Sequence, residues 1–162
     1  MAGKNEVLVK ELAFQLRGGN AHAPLEKVVK DFSLEKQGIQ PAGLPYSGWQ
    51  LLEHLRLAQK DILDYCQNHG GNYVHKKWPD DYWPAKPEPP DAKAWDESVK
   101  KIEEDRESLI KIIADPQAEL FTAFKWGDGQ TLFHEACLVL DHNAYHLGEL
   151  VMLRRTLGIW QS

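Results

Sequence analysis

A chain of 162 residues with 43% hydrophobic and 27% charged side chains is long enough to bury one apolar core, so we expect a single domain over residues 1–162. Its formal net charge of -5, with 19 basic residues scattered among 24 acidic ones, argues against a nucleic-acid partner, which needs clustered basic side chains. Residues 1–16 carry charges between their apolar positions, which argues against a signal peptide or a membrane span there, so we expect a cytoplasmic protein with no membrane partner.

The amino-terminal part of the chain predicts a helical hairpin. A first helix is expected over residues 5–16, because the two glycines that follow end helices. A second helix is expected to begin near Asn20 or Ala23, with Pro24 suited to its first turn, and to end near Phe32. We expect these two helices to pack against each other.

Two long helices are predicted on either side of an aromatic loop. Residues 37–48 are too rich in Gly and Pro to continue a helix. Near the end of this segment, Ser47 is placed to cap a helix that ends near Asn68. Residues 69–90 combine many Pro and Gly with several Tyr and Trp, which predicts a loop that packs on the surface like a lid. A partly exposed helix follows over residues 91–114.

A last long helix is predicted from Thr131, as its cap, to about Leu157, because Gly158 follows. Three or four long antiparallel helices with connections of these lengths predict an all-α fold, a four-helix bundle with a long aromatic, Pro-rich loop after the second long helix. The two cysteines, Cys66 and Cys137, fall on different predicted helices without a CxxC partner, so we expect two buried free thiols.

Residues 141–150, "DHNAYHLGEL", place two histidines on the apolar face of the last helix. At about 100° per residue, with His142 at zero, His146 falls at about +40°, within the apolar stripe. The same arithmetic puts Glu149 at about -20° and Glu135 at about +20°. Burying four polar groups is costly unless they have partners, and a metal ion would satisfy them together.

Histidines four residues apart reach one ion at about 2.0 to 2.1 Å, and a third ligand is expected from a facing helix. The best candidate is His54, which lies at the edge of the apolar stripe of the helix that Ser47 caps, and Asp61 falls near the same edge. His134 is a competitor, but it is turned about 80° away from His142 and is expected at the rim.

These polar residues also have an interpretation without a metal. A histidine in a core is most often a packing residue held by hydrogen bonds. Glu149 and Glu135 could equally pair with arginines such as Arg56 or Arg154. The residue pattern alone leaves both interpretations open.

Three segments in this order resemble the DinB-like family of DNA-damage-inducible four-helix metalloproteins: "GGNAHAPLEKVVKDF", "LPYSGWQLLEHLRLAQKDILDYC" and "WGDGQTLFHEACLVLDHNAYHLGEL". The similarity spans nearly the whole chain. It implies a four-helix bundle of that type, in which His54, His142 and His146 hold a divalent metal ion. Zinc and nickel are the metals most suited to three imidazoles with an open position.

The resemblance also implies a range of activities. Relatives include transferases and isomerases that use low-molecular-weight thiols, so we expect a small-molecule substrate, with or without such a thiol, and a transferase or hydrolase reaction. Glu149 or Glu135 would then orient a ligand or act as general base. Family members commonly pair through bundle helices, so a homodimer is expected. The alternative is a stress-related binding or structural protein whose metal only stabilises the bundle.

Overall fold

The computed structural model describes residues 2–19 and 21–160. Its helices are α1 (Ala2–Leu16), α2 (Leu25–Val29), α3 (Leu34–Gln37), α4 (Gly48–Cys66), α5 (Ala94–Ile113) and α6 (Leu132–Thr156), with a 3-10 helix over Asp80–Tyr82. Over the described residues there is no strand, apart from one isolated bridge between Ala123 and Thr131. The predicted all-α fold is therefore confirmed. None of the helices in these ranges combines the length and the apolar composition needed to cross a bilayer.

The four long helices form the bundle, in which α4 and α1 each pack against both α5 and α6. Side-chain partners show the directions of the helices. Glu53 meets Ser98, and further along α4 Gln59 meets the carbonyl of Ile102, so α4 and α5 run the same way. The amino-terminal half of α4 instead shares an apolar cluster with the carboxyl-terminal half of α6, so α6 runs opposite to both.

The prediction that all the long helices are antiparallel is therefore wrong for α4 and α5. The reason is the long connection between them, residues 67–93. A helix of 19 residues rises about 28 Å, and this connection is long enough to run back along α4 before α5 begins. On the way its 3-10 helix packs against α4. The return path brings the aromatic loop over the middle of the bundle.

The predicted hairpin of the first two helices is also wrong. The first helix ends at Leu16 as expected, but α2 packs mainly on α6. Its buried residues Leu25 and Val28 join the apolar cluster at one end of the bundle, whereas Leu12 and Leu16 join the cluster at the other end. The alternative start at Asn20 lies outside the described residues.

The second helix also ends earlier than the predicted Phe32. Arg154 of α6 donates through Nη1 to the carbonyl oxygens of Val28, at 2.5 Å, and Lys30, at 2.7 Å. These carbonyls belong to the end of α2, where the helix leaves them without internal partners. Asp31 then adopts a left-handed conformation with φ of 53°, which turns Phe32 back into the core.

The predicted caps of α4 and α6, and the glycine that follows α6, are confirmed. Ser47 Oγ accepts from the backbone N–H of Gln50 at 3.2 Å, and Gln50 Oε1 accepts from the backbone N–H of Ser47 at 3.1 Å, which is a capping box. Thr131 accepts from the backbone N–H of His134 at 3.1 Å, and Gly158, with φ of 70°, follows the last turn of α6. These caps fix where the two helices that carry the histidines begin.

The third long helix, α5, begins three residues later than predicted. The Asp91 side chain accepts from the backbone N–H groups of Lys93 and Ala94, at 2.8 and 3.0 Å, and so closes a turn before the helix.

Both cysteines are free, but only Cys66 is buried, while Cys137 is half-buried. The prediction of two buried thiols is therefore wrong for Cys137.

The buried core consists of two apolar clusters at opposite ends of the bundle. Three polar residues lie between them, which we call the polar layer: Gln59 of α4, Arg106 of α5 and Asn143 of α6. Gln59 donates to the carbonyl of Ile102 at 2.7 Å and accepts from Asn143 Nδ2 at 3.0 Å. Between the two apolar clusters, hydrogen bonds of the polar layer therefore join α4 to α5 and α4 to α6.

Candidate metal centre

The structure brings His54, His142 and His146 together between α4 and α6. The Nε2 atoms of His54 and His142 are 3.0 Å apart, and one ring nitrogen from each histidine lies within 4.8 Å of the other two. Two nitrogens bound to one tetrahedral ion at about 2.0 to 2.1 Å are separated by about 3.3 Å, so the observed spacing suits a shared ion. His54 is 1% exposed and His146 is 8% exposed, while His142 is half-buried.

Two of the three imidazoles are held by acceptors at Nδ1. His54 Nδ1 donates to the carbonyl oxygen of Tyr82 at 2.9 Å, and His146 Nδ1 donates to Glu149 Oε2 at 2.6 Å. A carbonyl or carboxylate oxygen only accepts, so these nitrogens carry the proton and each Nε2 keeps a free lone pair. Metal-binding histidines usually have such a partner on the other ring nitrogen. The three residues are therefore positioned to bind a metal ion.

The protonation state of the site is set by burial. Burial lowers the pKa of both His54 and His142 to about 4, and it also lowers the pKa of His146. For His54 the hydrogen bond to the Tyr82 carbonyl opposes this effect, and the neighbouring histidines reinforce it. The imidazoles are neutral at pH 7, which is the form that binds metal ions.

We expect the metal-free protein to lose stability as the pH falls from about 6.5 to about 4. The ordinary pKa of histidine is 6.5, so in this window the unfolded chain takes up protons that the buried His54 and His142, with a pKa of about 4, do not. Because the unfolded state binds more protons, the free energy of unfolding decreases with falling pH. Urea unfolding between pH 7 and pH 4.5 measures this dependence.

The matched variant for this pH dependence is the double substitution His54→Gln and His142→Gln, which removes the two histidines whose pKa burial lowers to about 4. It should show a shallower loss of stability across the same pH range. A variant with the same dependence as the metal-free wild type would contradict the assignment of the acid sensitivity to these histidines.

The aromatic loop is fastened to α4 by Asp61. Tyr82 Oη donates to Asp61 Oδ2 at 2.6 Å, and Tyr73 Oη donates to the same oxygen at 3.1 Å. Burial, and then the nearby carboxylate, raise the pKa of both tyrosines, so both hydroxyls stay protonated and donate. Because the carbonyl of Tyr82 holds His54, Asp61 positions that histidine indirectly. The sequence placed Asp61 near His54 but did not indicate this role.

Three stacked rings cover one side of the site. The Trp83 ring stacks on His54 with centroids 3.8 Å apart and an interplanar angle of 5°, and Tyr46 stacks on Trp83 at 3.8 Å and 15°. Both Trp83 and Tyr46 also pack against the apolar cluster at that end of the bundle. The aromatic loop therefore covers His54, as a lid would.

The family model of the DinB superfamily matches residues 20–150. The chain belongs to the DinB superfamily. The match includes all three histidines of the site and the loop that covers His54. No curated protein and no solved structure matches the chain.

Access to the histidines of this DinB-superfamily chain is framed by two exposed aromatic rings. Trp78 is 65% exposed, with its ring centroid 6.0 Å from that of His54, and Tyr145 is 66% exposed, at 4.9 Å from His146. A cavity of about 500 Å³ begins beside Tyr145 and is lined by apolar side chains and by Glu149, the partner of His146. The surroundings of the site are thus mainly aromatic and apolar.

The two glutamates predicted as catalytic residues lie in different places in this DinB-superfamily fold. Glu149 is half-buried and bonded to His146, and burial raises its pKa. Glu135 is buried and lines a separate cavity with Asp61 and Tyr73, and burial also raises its pKa. Glu135 is not among the residues whose ligand atoms converge within the described part of the chain. The catalytic role of either glutamate stays a prediction.

The alternative of arginine partners for these glutamates is wrong. Arg56 forms its ion pair with Glu53, at 2.8 Å, within α4. Arg154 donates to backbone carbonyl oxygens near α2 and at Ile159. His134 is exposed, at the rim as expected.

Proposed function

We propose that this protein binds one divalent metal ion, zinc or nickel, through His54, His142 and His146, and uses it in a transferase reaction with a low-molecular-weight thiol or in a hydrolysis. The observation that carries the proposal is the convergence of three neutral imidazoles, two of them buried and held through Nδ1. An ion with three protein ligands keeps an open position, where it acts as a Lewis acid and lowers the pKa of a thiol or a water molecule.

The chain's own residues would supply orientation and proton transfer. Glu149 holds His146 and also lines the adjacent cavity, so we propose it as the group that accepts the proton of the nucleophile. Its raised pKa brings it closer to neutral pH, where a general base is most effective. Glu135 is the alternative base, and its burial in a separate cavity makes it the second choice.

The substrate class is suggested by the cavity beside Glu149. Its volume of about 500 Å³ lies in the range of small-molecule sites, and its other lining residues are mostly apolar. Trp78 and Tyr145 stand on either side of the histidines and present further apolar surface. We therefore propose a small, largely apolar organic electrophile.

A panel of reactions tests the proposal. The metal-loaded protein is screened with low-molecular-weight thiols paired with small organic electrophiles, and with simple esters and amides. Activity should disappear in His54→Ala, and Glu149→Gln should reduce the turnover number by about 10²-fold or more, because a general base contributes at least that much. Activity that is unchanged in His54→Ala would place the chemistry elsewhere.

A metal that only stabilises the bundle is the second candidate function. It is favoured by the burial of His54 and His146, which leaves little of either ring exposed. X-ray absorption spectroscopy of the metal-loaded protein separates the two functions. A site closed by protein ligands, together with no activity across the panel, would support the structural function.

We also propose that the protein is a homodimer that pairs through the outer face of α1. Support comes from Val7 and Phe14, two exposed apolar residues seven positions apart on that helix, which can meet their own copies across a two-fold axis. The outer face of α6 also exposes apolar residues, but Tyr145 there adjoins the metal site.

Light scattering tests the dimer. The wild type should give about twice the chain mass of 18.5 kDa, and Phe14→Glu should shift the mass to that of one chain. Val74→Glu is the control, because Val74 is also an exposed apolar residue but lies in the aromatic loop. A monomeric wild type over a wide concentration range would overturn the proposal.

A further inference from the structure

A cavity of about 500 Å³ lies between α4 and α6, further along α4 than His54. Its walls come from α4, from the aromatic loop, from the turn over residues 126–130 and from the first two turns of α6. None of the three histidines of the metal centre lines it. The volume is within the range of small-molecule sites, and the metal centre does not use it.

Glu135 presents a carboxylate to this cavity. The residue is only 5% exposed, it lines the cavity, and neither of its carboxylate oxygens is sealed off from solvent. Over residues 2–19 and 21–160 the carboxylate has no hydrogen-bond donor, and the charges that act on it are those of His134 and Asp61. A buried carboxylate without a partner is costly, so a cation that reaches Glu135 would be held firmly.

The charges around the cavity favour a cation. Three carboxylates line it, those of Asp61, Asp128 and Glu135, and no lysine or arginine is among its described lining residues. His75 also lines the cavity and His134 precedes Glu135 on α6, but both histidines are exposed to water. An anion would be repelled by the three carboxylates, and an uncharged ligand would leave Glu135 without a counter-charge.

Asp61 already has its partners, so Glu135 is the carboxylate left for a ligand. The Asp61 side chain accepts from the hydroxyls of Tyr73 and Tyr82, at 3.1 and 2.6 Å. Lys76 Nζ also lies 3.6 Å from Asp61 Oδ1. Asp61 therefore adds negative potential to the cavity but does not need a further donor.

Aromatic residues form much of the remaining wall. Tyr65 and Tyr73 line the cavity, with their ring centroids 5.3 Å apart, and Trp126 is fixed beside them because its Nε1 donates to the carbonyl of Tyr65 at 3.0 Å. Aromatic rings attract both alkyl groups and cations. A bare divalent ion suits the cavity less well. Within the described part of the chain, only the histidine triad brings three ligand atoms within 4.8 Å of one another.

We propose that this cavity binds a small primary alkylammonium, whose N–H groups donate to the carboxylate of Glu135 and whose alkyl chain lies against Tyr65, Tyr73 and Trp126. Binding supplies Glu135 with the counter-charge that the described residues do not provide. The site goes beyond the metal chemistry proposed above and does not depend on it.

Three probes of similar size test the chemistry of the ligand: butylammonium, 1-butanol and butyrate, in a phosphate buffer that contains no amine. Calorimetric titration of the full chain gives the affinities. Butylammonium should bind at least about tenfold more tightly than butanol, because a hydrogen bond to a charged group adds at least that much, and butyrate should not bind. Equal affinities for butylammonium and butanol would overturn the proposal.

Nuclear magnetic resonance tests the location. Butylammonium should shift the indole N–H resonance of Trp126 and the backbone N–H resonance of Gly127, because both residues line the cavity. The affinity should be the same for the metal-loaded and the metal-free protein. Binding that leaves both resonances unchanged, or that requires the metal ion, would place the amine elsewhere and overturn the site.

Glu135→Gln tests the recognition group, because it keeps the size of the side chain and removes its charge. This variant should bind butylammonium at least about tenfold more weakly. The matched control is Asp141→Asn, which removes an exposed carboxylate from the same helix that does not line the cavity, and it should keep the wild-type affinity. Wild-type affinity in Glu135→Gln would contradict the assignment.

Urea unfolding of Glu135→Gln without ligand tests whether the carboxylate is unpaired. The variant should be at least as stable as the wild type at pH 7, because it removes a buried charge that has no partner among the described residues. A clear loss of stability would show that the fold already supplies a partner for Glu135, and it would overturn the proposal.

Discussion

Replacing His142 with alanine is expected to remove the metal ion from the purified protein. The three histidines converge from two helices, and His142 Nε2 lies only 3.0 Å from His54 Nε2. A structural zinc site with four ligands binds with about 10 to 16 kcal/mol, so each ligand accounts for about 3 kcal/mol, or about 100-fold in affinity. The two remaining imidazoles would then lose the ion to any competing chelator.

Metal content after dialysis against a chelator measures this effect, with a competition titration to give the affinity. The matched control is His134→Ala, which removes an exposed histidine from the same helix. The control should retain about one ion per chain. Wild-type metal content in His142→Ala would show that the three histidines are not the site.

Replacing Asp61 with asparagine is expected to weaken metal binding by about 10- to 100-fold, the range found for groups that hold metal ligands in place. The carboxylate accepts from the hydroxyls of both Tyr73 and Tyr82, and the carbonyl of Tyr82 holds Nδ1 of His54. Asparagine keeps the size of the side chain but removes its charge and one acceptor. The loop should then loosen, and His54 should lose its fixed orientation.

Two measurements separate this positioning role from a general loss of stability. Metal affinity is determined at a temperature where the variant is fully folded. The part of the tryptophan fluorescence that is lost in Trp83→Phe comes from the ring that stacks on His54 and reports on the loop. Asp64→Asn is the control, because Asp64 lies on the same helix and pairs with Lys60. Tyr82→Phe removes one of the same hydrogen bonds and should show a smaller effect. An Asp61→Asn variant with wild-type affinity would exclude the role.

The sequence predicted those parts of the site that follow from residue spacing within a single helix. His142 and His146 share a face because they are four residues apart, and His54 was expected at the edge of an apolar stripe. The caps at Ser47 and Thr131 are local as well, since each depends on a side chain and a backbone N–H three residues later.

The parts that the sequence did not predict depend on the path of the chain. Residues 67–93 run back along α4, which makes α5 parallel to it, and no local pattern specifies that direction. The partner of His54 is the backbone carbonyl of Tyr82, which has no side-chain signature. Asp61 accepts from two tyrosines of the aromatic loop, so its role could be recognised only from the folded position of that loop.

The sequence did not predict the polar layer either. Its residues Gln59, Arg106 and Asn143 come from three helices and come together only in the assembled bundle. A glutamine or an asparagine on a helix is most often exposed, so the sequence gives no signal for one that lies in the core. Only the hydrogen bond between Gln59 and Asn143, and the cavity that Asn143 shares with Arg106, show that these residues lie at one level.

The polar layer also bears on how the bundle opens. Each end of the bundle has its own apolar cluster, and the middle offers hydrogen bonds that water can replace at modest cost. The two ends can therefore fluctuate as separate units, and their cooperativity depends on the few links that cross the middle. A metal ion held by α4 and α6 next to the polar layer would couple the two ends of the bundle. Backbone amides at both ends would then exchange their hydrogens slowly and at similar rates.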